Sequence, residues 1–264
     1  MPSVRWQGSA ASTYDRSGAP LKAPIGGIVP VANVTELVAA AGCWRNTAGR
    51  RITHLGHSCI LVEAAGQRIL VDPGNLSKSW RGLTDLDAIL VTHRHPDHVD
   101  PEHIGALVDA NSGAVVRAEE GACHEIPALD ADPVAPGDVL QIGEVRIEAV
   151  GGHHAVIHRD LEPIGNVGYL IGEGLGTILY HPGDELDETP RGVDVLACPA
   201  HAPWAAMKET VDFARSVGAR HGFLIHEGLL NERGWQLSFD RHQEMVSTTF
   251  HDLRDGQPWE VPQG

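Results

Sequence analysis

The segment Thr92-His93-Arg94-His95-Pro96-Asp97-His98 constrains this chain more than any other, because it packs three imidazoles and a carboxylate into six residues directly after the apolar run Ala88 to Val91. A short apolar run bounded by polar residues reads as a strand. Side chains that follow a strand end converge on one point only where the chain turns sharply, and Pro96 helps it to do so. Histidine is the commonest protein ligand of metals, so the pattern points to metal chemistry at a strand end rather than to an idle polar loop. The chain holds 16 histidines, a residue that is not among those globular domains use most.

Three more segments supply what such a loop would lack. Gly151-Gly152-His153-His154 follows the strand-like run Glu144 to Val150, Tyr180-His181-Pro182-Gly183-Asp184 follows Thr177 to Tyr180, and His226 ends Arg220 to Ile225. Strand ends on one edge of a sheet are where α/β folds gather ligands from distant parts of the chain. Taken singly, His226 or Asp184 reads as an ordinary hydrogen-bonded polar residue; the shared placement makes the set a candidate metal site.

The remainder of the chain fits an α/β domain. Residues 1 to 50 are rich in Ser, Ala, Gly and Pro and read as an irregular arm with one short helix from Thr35 to Ala41. From residue 51 to 264 the texture is of strands: Arg51 to Leu55, Ser58 to Val62, Gln67 to Val71, Ala88 to Thr92, Ala114 to Ala118, Glu144 to Val150, Val167 to Ile171, Thr177 to Tyr180, Val193 to Cys198 and Arg220 to Ile225. A helix is expected after Pro101, a second where Met207, Val211, Ala214 and Val217 recur at helical spacing, and a third where Met245, Val246, Thr249 and Leu253 do. Hydrophobic residues at 42% suffice for a core and exclude disorder. The net charge of −15 opposes binding that relies on neutralising phosphates, which argues against nucleic acid as the partner. No apolar run approaches the roughly 18 residues of a membrane span. Cys43, Cys59, Cys123 and Cys198 form no CxxC pair, so free thiols and a cytoplasmic protein are expected.

With these residues in place, the chain resembles the metallo-β-lactamase fold superfamily of metal-dependent hydrolases. The resemblance rests on His93-Arg94-His95-Pro96-Asp97-His98, a later His, Gly183-Asp184 and His226 in the family's order, with Gly56-His57-Ser58 and Val71-Asp72-Pro73 matching its opening hairpin. Within it, Gly56-His57-Ser58, His153-His154-Ala155, Gly165-Asn166-Val167-Gly168-Tyr169 and His181-Pro182-Gly183-Asp184 look like the branch of the ascorbate-phosphate lactonase. The implied fold is a four-layer αββα sandwich. The implied cofactors are two divalent metal ions, Zn2+ first and Mn2+ or Fe2+ as alternatives, with His93, His95 and His154 at one ion, Asp97, His98 and His226 at the other, and Asp184 between them. Only one of the adjacent His153 and His154 can point into the site from an extended segment; His154, followed by the small Ala155, is the choice and His153 the alternative.

Asp97, His181 and His57 are the implied catalytic residues: Asp97 to orient the nucleophile and move its proton, His181 as a partner behind the ligands or a proton donor, and His57 to line the cleft or meet a substrate oxyanion, or else to hold the hairpin. Asp72 orients a ligand or braces its loop. His158 and His201 are further cleft candidates, Trp204 walls a pocket or packs in the core, and Cys198 is a buried thiol. His103, His124, His221, His242 and His251 read as surface or structural residues. The implied reaction is hydrolysis of a small-molecule ester, lactone or amide by hydroxide generated between two ions. A phosphodiesterase acting on a small molecule or phospholipid is the alternative, with Arg94 and Arg159 as its candidate cations, and a non-catalytic metal-binding module is a third reading. The partner is a small-molecule substrate, with a homo-oligomer left open. A ribonuclease with an inserted domain is disfavoured by the separation of 42 positions from Asp184 to His226. A flavodiiron-type centre is disfavoured by His95, where that group carries Glu.

Overall fold

Runs such as Cys59-Ile60-Leu61-Val62 and Ala88-Ile89-Leu90-Val91 are buried at every position, which a strand tolerates only if both faces of its sheet are covered. A computed structural model, which describes residues 49–173 and 176–262, has this arrangement. The arm expected over residues 1 to 50, with its helix from Thr35 to Ala41, lies outside the described residues apart from its last two.

The first sheet contains β1 (Arg51–Gly56), β2 (Cys59–Ala64), β3 (Gln67–Val71), β4 (Ala88–Val91), β5 (Val115–Ala118), β6 (Asp132–Pro133) and, at its other edge, β14 (Trp259–Glu260), in the order β14-β1-β2-β3-β4-β5-β6. The second contains β7 (Val139–Ile142), β8 (Val145–Gly151), β9 (Val167–Glu173), β10 (Gly176–His181), β11 (Val193–Pro199), β12 (His221–Ile225) and β13 (Thr249–His251), in the order β13-β12-β11-β10-β9-β8-β7. In each sheet antiparallel hairpins pass into parallel neighbours, at β3–β4 in the first and β10–β11 in the second.

Alternation along the strands separates three apolar layers. Ile60, Val62, Ile69, Val71, Ala88 and Leu90 face Ile147, Tyr169, Ile171, Val195, Ala197 and Phe223 across the space between the sheets. Their neighbours Leu61, Leu70, Ile89 and Val91 pack against Ile104 and Leu107 of α1 (Ile104–Ala110) and Ala122 of α2 (Glu120–Glu125). On the opposite side, Leu196, Cys198 and Leu224 pack against Val211, Phe213, Ala214 and Val217 of α3 (Met207–Val217). The result is the expected helix–sheet–sheet–helix sandwich.

The third expected helix is a correction. The helix there is α4 (Glu232–Met245), capped by the Asn231 side chain accepting from Gly234 N at 3.0 Å, and the chain turns extended at Val246. Thr249 and Phe250 then join the sheet edge as β13, parallel to β12. The buried stripe of α4 is Trp235, Ser238 and His242, so its helical period is carried by residues that do not register as an aliphatic face. Among the described residues no helix is long and apolar enough to cross a membrane.

The topology decides where chemistry collects. β1 and β3 are each antiparallel to β2, and β4 is parallel to β3, so all three run in one direction and end on one edge. By the same reasoning β8, β10, β11 and β12 end together in the second sheet. The two edges are stitched by Val167 N donating to Thr92 O at 2.9 Å, by Tyr169 OH donating to Val91 O at 2.9 Å, and by His226 N donating to His57 O at 3.1 Å. A Cβ on Gly74 would fall 1.7 Å from Asp97 O, so only glycine lets the loop after β3 lie against the loop after β4. The fully buried Tyr169 hydroxyl is one of these stitches. Tyr169→Phe is expected to lower stability by about 1 kcal/mol with unchanged slope in urea unfolding of the metal-free protein, since Val91 O retains the bond from Glu119 N.

Candidate metal centre

The candidate ligands and His57 stand just past strand ends on these joined edges: His57 after β1, His93 to His98 after β4, His154 after β8, Asp184 after β10 and His226 after β12. The side chains gather into two clusters, His93, His95, His154 and Asp184 in one, His57, Asp97, His98 and His226 in the other; within each, the candidate ligand atoms lie within 4.8 Å of one another. Asp184, a member of the first, also reaches the second. Its Oδ2 is 3.3 Å from His154 Nε2, while its Oδ1 is 3.1 Å from His98 Nε2 and 3.3 Å from His226 Nε2. Of the adjacent pair, His154 is buried and His153 exposed, so His154 enters the cluster.

The outward-facing nitrogens explain why the inward ones are free. His98 Nδ1–H donates to Asp72 Oδ2 at 2.7 Å, His154 Nδ1–H to Ala155 O at 2.6 Å and His226 Nδ1–H to His201 O at 2.8 Å. His93 Nδ1–H donates to Thr92 Oγ1 at 3.0 Å, and that hydroxyl donates in turn to Asp72 Oδ2 at 2.8 Å. In a neutral imidazole a proton on Nδ1 leaves Nε2 as a lone pair, so four lone pairs point inward, and His95 adds Nδ1, 3.0 Å from His93 Nε2. His154 Nε2, His226 Nε2 and Asp184 Oδ1 are buried with no hydrogen-bond partner. Converging buried acceptors without donors are costly unless a cation occupies the space between them, so the residues fit a pair of metal ions.

The fields are correspondingly strong. Burial opposes a charge on His98, yet Asp184 and Asp72 outweigh it and hold its pKa well above the ordinary histidine range. Burial lowers that of His93, helped by His98. Asp184 resists burial through His98 and His226 and stays far below the usual carboxylate range, and Asp97 does so chiefly through the hydrogen bond from His57.

Several expectations resolve into specific contacts. His57 is buried, with a left-handed backbone (φ 54°). Its Nδ1 accepts Gly228 N–H at 3.1 Å, so its proton sits on Nε2, which donates to Asp97 Oδ2 at 3.1 Å. A neutral His57 in this position offers no lone pair to a metal and steadies Asp97. His181 is also fully committed: Nε2 donates to Ser58 O at 2.9 Å and Nδ1 accepts from Gly183 N at 3.2 Å. Its one ring proton is engaged with Ser58 O, and the ring braces the loop that carries Asp184, which favours the partner role over the proton donor among the two expected of it. Asp72 does both things expected of it, orienting His98 and accepting from Thr92 N at 2.8 Å. Trp204 is at the site and not in the core; its indole N–H donates to Asp184 Oδ2 at 2.9 Å, with its ring 5.9 Å from that of His154. His158 is exposed beside Asp160, and His201 contributes only its carbonyl. His242 is buried in α4, as a structural residue should be, and Cys198 is a buried thiol whose pKa burial pushes up.

Three supporting residues take roles that the sequence motifs do not assign, although Thr92 and Asn166 lie within those motifs. Thr92 links Asp72 to His93. Asn166 fixes the turn before Asp184 by donating to Pro182 O at 2.8 Å and accepting Asp184 N at 2.9 Å. Glu227 accepts His57 N at 2.8 Å. Because Asp72 sets the tautomer of His98, Asp72→Asn is expected to weaken binding of the second equivalent of metal by about 10- to 100-fold, read by competition with a chromophoric chelator; unchanged affinity for both equivalents contradicts this role.

Comparison with known proteins agrees with the architecture. A model of the β-lactamase superfamily domain matches residues 51–221. Protein Rv0786c of Mycobacterium tuberculosis is 39% identical over 207 residues, covering 77% of this chain and 96% of its own. A protein named as a metal-dependent hydrolase from Rubrobacter xylanophilus is 26% identical over 240 residues, covering 79% of this chain and 96% of its own. The metallo-β-lactamase fold protein YhfI of Bacillus subtilis superposes with a TM-score of 0.64 at 17% identity, over 80% of this chain and 99% of that one. With the family model spanning residues 51–221 and a relative 39% identical over most of both chains, the chain belongs to the metallo-β-lactamase superfamily.

Proposed function

We propose that this protein is a metal-dependent hydrolase that opens a small-molecule ester, lactone or amide using two divalent ions, with zinc the metal best suited to the imidazole-rich set. The observation that carries the proposal is the convergence of buried, unpartnered acceptors, His154 Nε2, His226 Nε2 and Asp184 Oδ1, on one cleft. In this reading His93, His95 and His154 would hold one ion, Asp97, His98 and His226 the other, and Asp184 would be shared between them.

Bound there, the two ions would supply Lewis acidity toward a carbonyl oxygen and lower the pKa of a water in the site to about 7. The protein's own groups do the rest. Asp97 is the more open of the two carboxylates, its side chain 25% exposed against 3% for Asp184. It therefore stands where a water is oriented and where a proton leaves the cleft. His57 Nε2–H holds that carboxylate in place, and the indole N–H of Trp204 restrains Asp184 from turning between its two neighbours.

The choice of a carbonyl over a phosphoryl substrate rests on the cations. A phosphodiester is expected to be met by Arg or Lys beside the metals. Arg94 instead pairs with Glu125, and the Arg159 side chain is 87% exposed beside Asp160. That speaks equally against a phosphorylated lactone. A panel of carboxylic esters, lactones, β-lactams and phosphodiesters tests the reading: turnover of an ester or lactone is expected, lost on chelation, restored by zinc, manganese or iron, and reduced at least about a hundredfold in Asp184→Ala. Chelator-insensitive turnover, activity confined to phosphodiesters, or metal binding with no turnover of any class would overturn it.

A further inference from the structure

Large apolar side chains in water are unremarkable singly and informative when they cluster at a polar cleft. Of the eight large hydrophobic side chains exposed among the described residues, four stand on loops that are fastened to the metal centre: Leu76, Val156, Ile157 and Leu229. Leu76 follows Asn75, whose N–H donates to Pro96 O at 2.8 Å, within the His93 to His98 loop. Leu229 follows Gly228, where a Cβ would lie 2.9 Å from His57 Nδ1 and 3.4 Å from Leu76 Cβ. Leu76 and Leu229 therefore flank the cluster of His57, Asp97, His98 and His226.

Val156 and Ile157 stand on the other side. They follow His154 and Ala155, and Ala155 N–H donates to the backbone carbonyl of Asp184 at 2.8 Å, so their loop is pinned to the main chain of the residue that carries the shared carboxylate. Val156 is 74% exposed and Leu229 57%. Trp204, whose ring is 5.9 Å from that of His154 and 6.1 Å from that of His226, adds an aromatic surface between the two sides. A charged floor of imidazoles and carboxylates thus opens between two apolar lips.

We infer that these lips seat an alkyl or acyl group of the substrate, so that the hydrolysed molecule is an uncharged amphiphile whose ester, lactone or amide reaches the metal centre while its chain lies across Val156 and Ile157 or Leu76 and Leu229. The inference rests on the hydrolase reading above and narrows its substrate class. A second copy of this chain covering the same lips is the rival occupant.

Alkyl hydroxamates test it without turnover, because their head group chelates zinc and only the chain varies. Binding of a series from acetohydroxamate to octanohydroxamate is measured calorimetrically on the zinc-loaded full-length protein and on the triple variant Val156→Ser, Ile157→Ser, Leu229→Ser. Each added methylene is expected to tighten binding about two- to fourfold over the first several carbons. The triple variant is expected to bind acetohydroxamate as the wild type does and to lose most of the chain-length dependence. A series that is flat in the wild type overturns the lips while leaving the metal centre standing, as does a triple variant that keeps the wild-type slope. A flat series together with a dimer that dissociates in the triple variant assigns the surface to self-association. No binding of any hydroxamate to zinc-loaded protein overturns the metal-centre reading, and this inference with it.

Discussion

The carboxylate of Asp72 is the point from which the centre is organised. It is fully buried and accepts from Thr92 N, Thr92 Oγ1 and His98 Nδ1 at 2.8, 2.8 and 2.7 Å. The first two bonds fix the end of β4 against the end of β3, so the His93 to His98 loop leaves its strand in one direction. The third sets the His98 tautomer, and the Thr92 hydroxyl passes the same constraint to His93. Asp72 itself adopts a left-handed backbone at φ 51°, a conformation that Asp tolerates better than most residues. A buried carboxylate is expensive unless it is fully hydrogen-bonded; here three donors meet it, and the chemistry of two ligands follows.

The cost of the arrangement lies on the inner side. Imidazoles and Asp184 are drawn together with lone pairs facing one another, and the charges they induce are opposed by burial at nearly every group. The outer contacts that prevent these side chains from relaxing, including Ala155 O, His201 O, Asn166 and His181, come from backbone and side chains of the sandwich itself. A site held open in this way stores instability in the metal-free protein and returns it as affinity, because ligands that bind only the folded state stabilise it. The β-sandwich supplies the rigidity: Tyr169, Val167 and His226 stitch its two edges beneath the cleft.

Much of this was legible in the sequence. Strand runs buried on both faces, such as Ala88 to Val91, announce themselves by composition, and His/Asp residues immediately beyond them mark the edge where the strands end. What was not legible was the work done by residues without a pattern. Thr92, Asn166 and Glu227 act through hydrogen bonds that no spacing encodes. His57 and His181 belonged to the right place but their roles depended on which ring nitrogen faces a backbone N–H, which is a property of the folded loops. The last helix was misplaced for a different reason: α4 buries Trp235, Ser238 and His242 rather than an aliphatic stripe, while the β-branched Thr249 beside Phe250 belongs to an edge strand.

The central claim is that seven side chains at the facing ends of the two sheets hold two metal ions that share Asp184. Anomalous diffraction at the zinc edge, from crystals of the zinc-loaded protein, tests it most directly. The expected result is two peaks, one against His93, His95 and His154 and the other against Asp97, His98 and His226, each in contact with a different oxygen of Asp184. A single peak, a metal ligated by His57, or no peak between these residues would contradict the account.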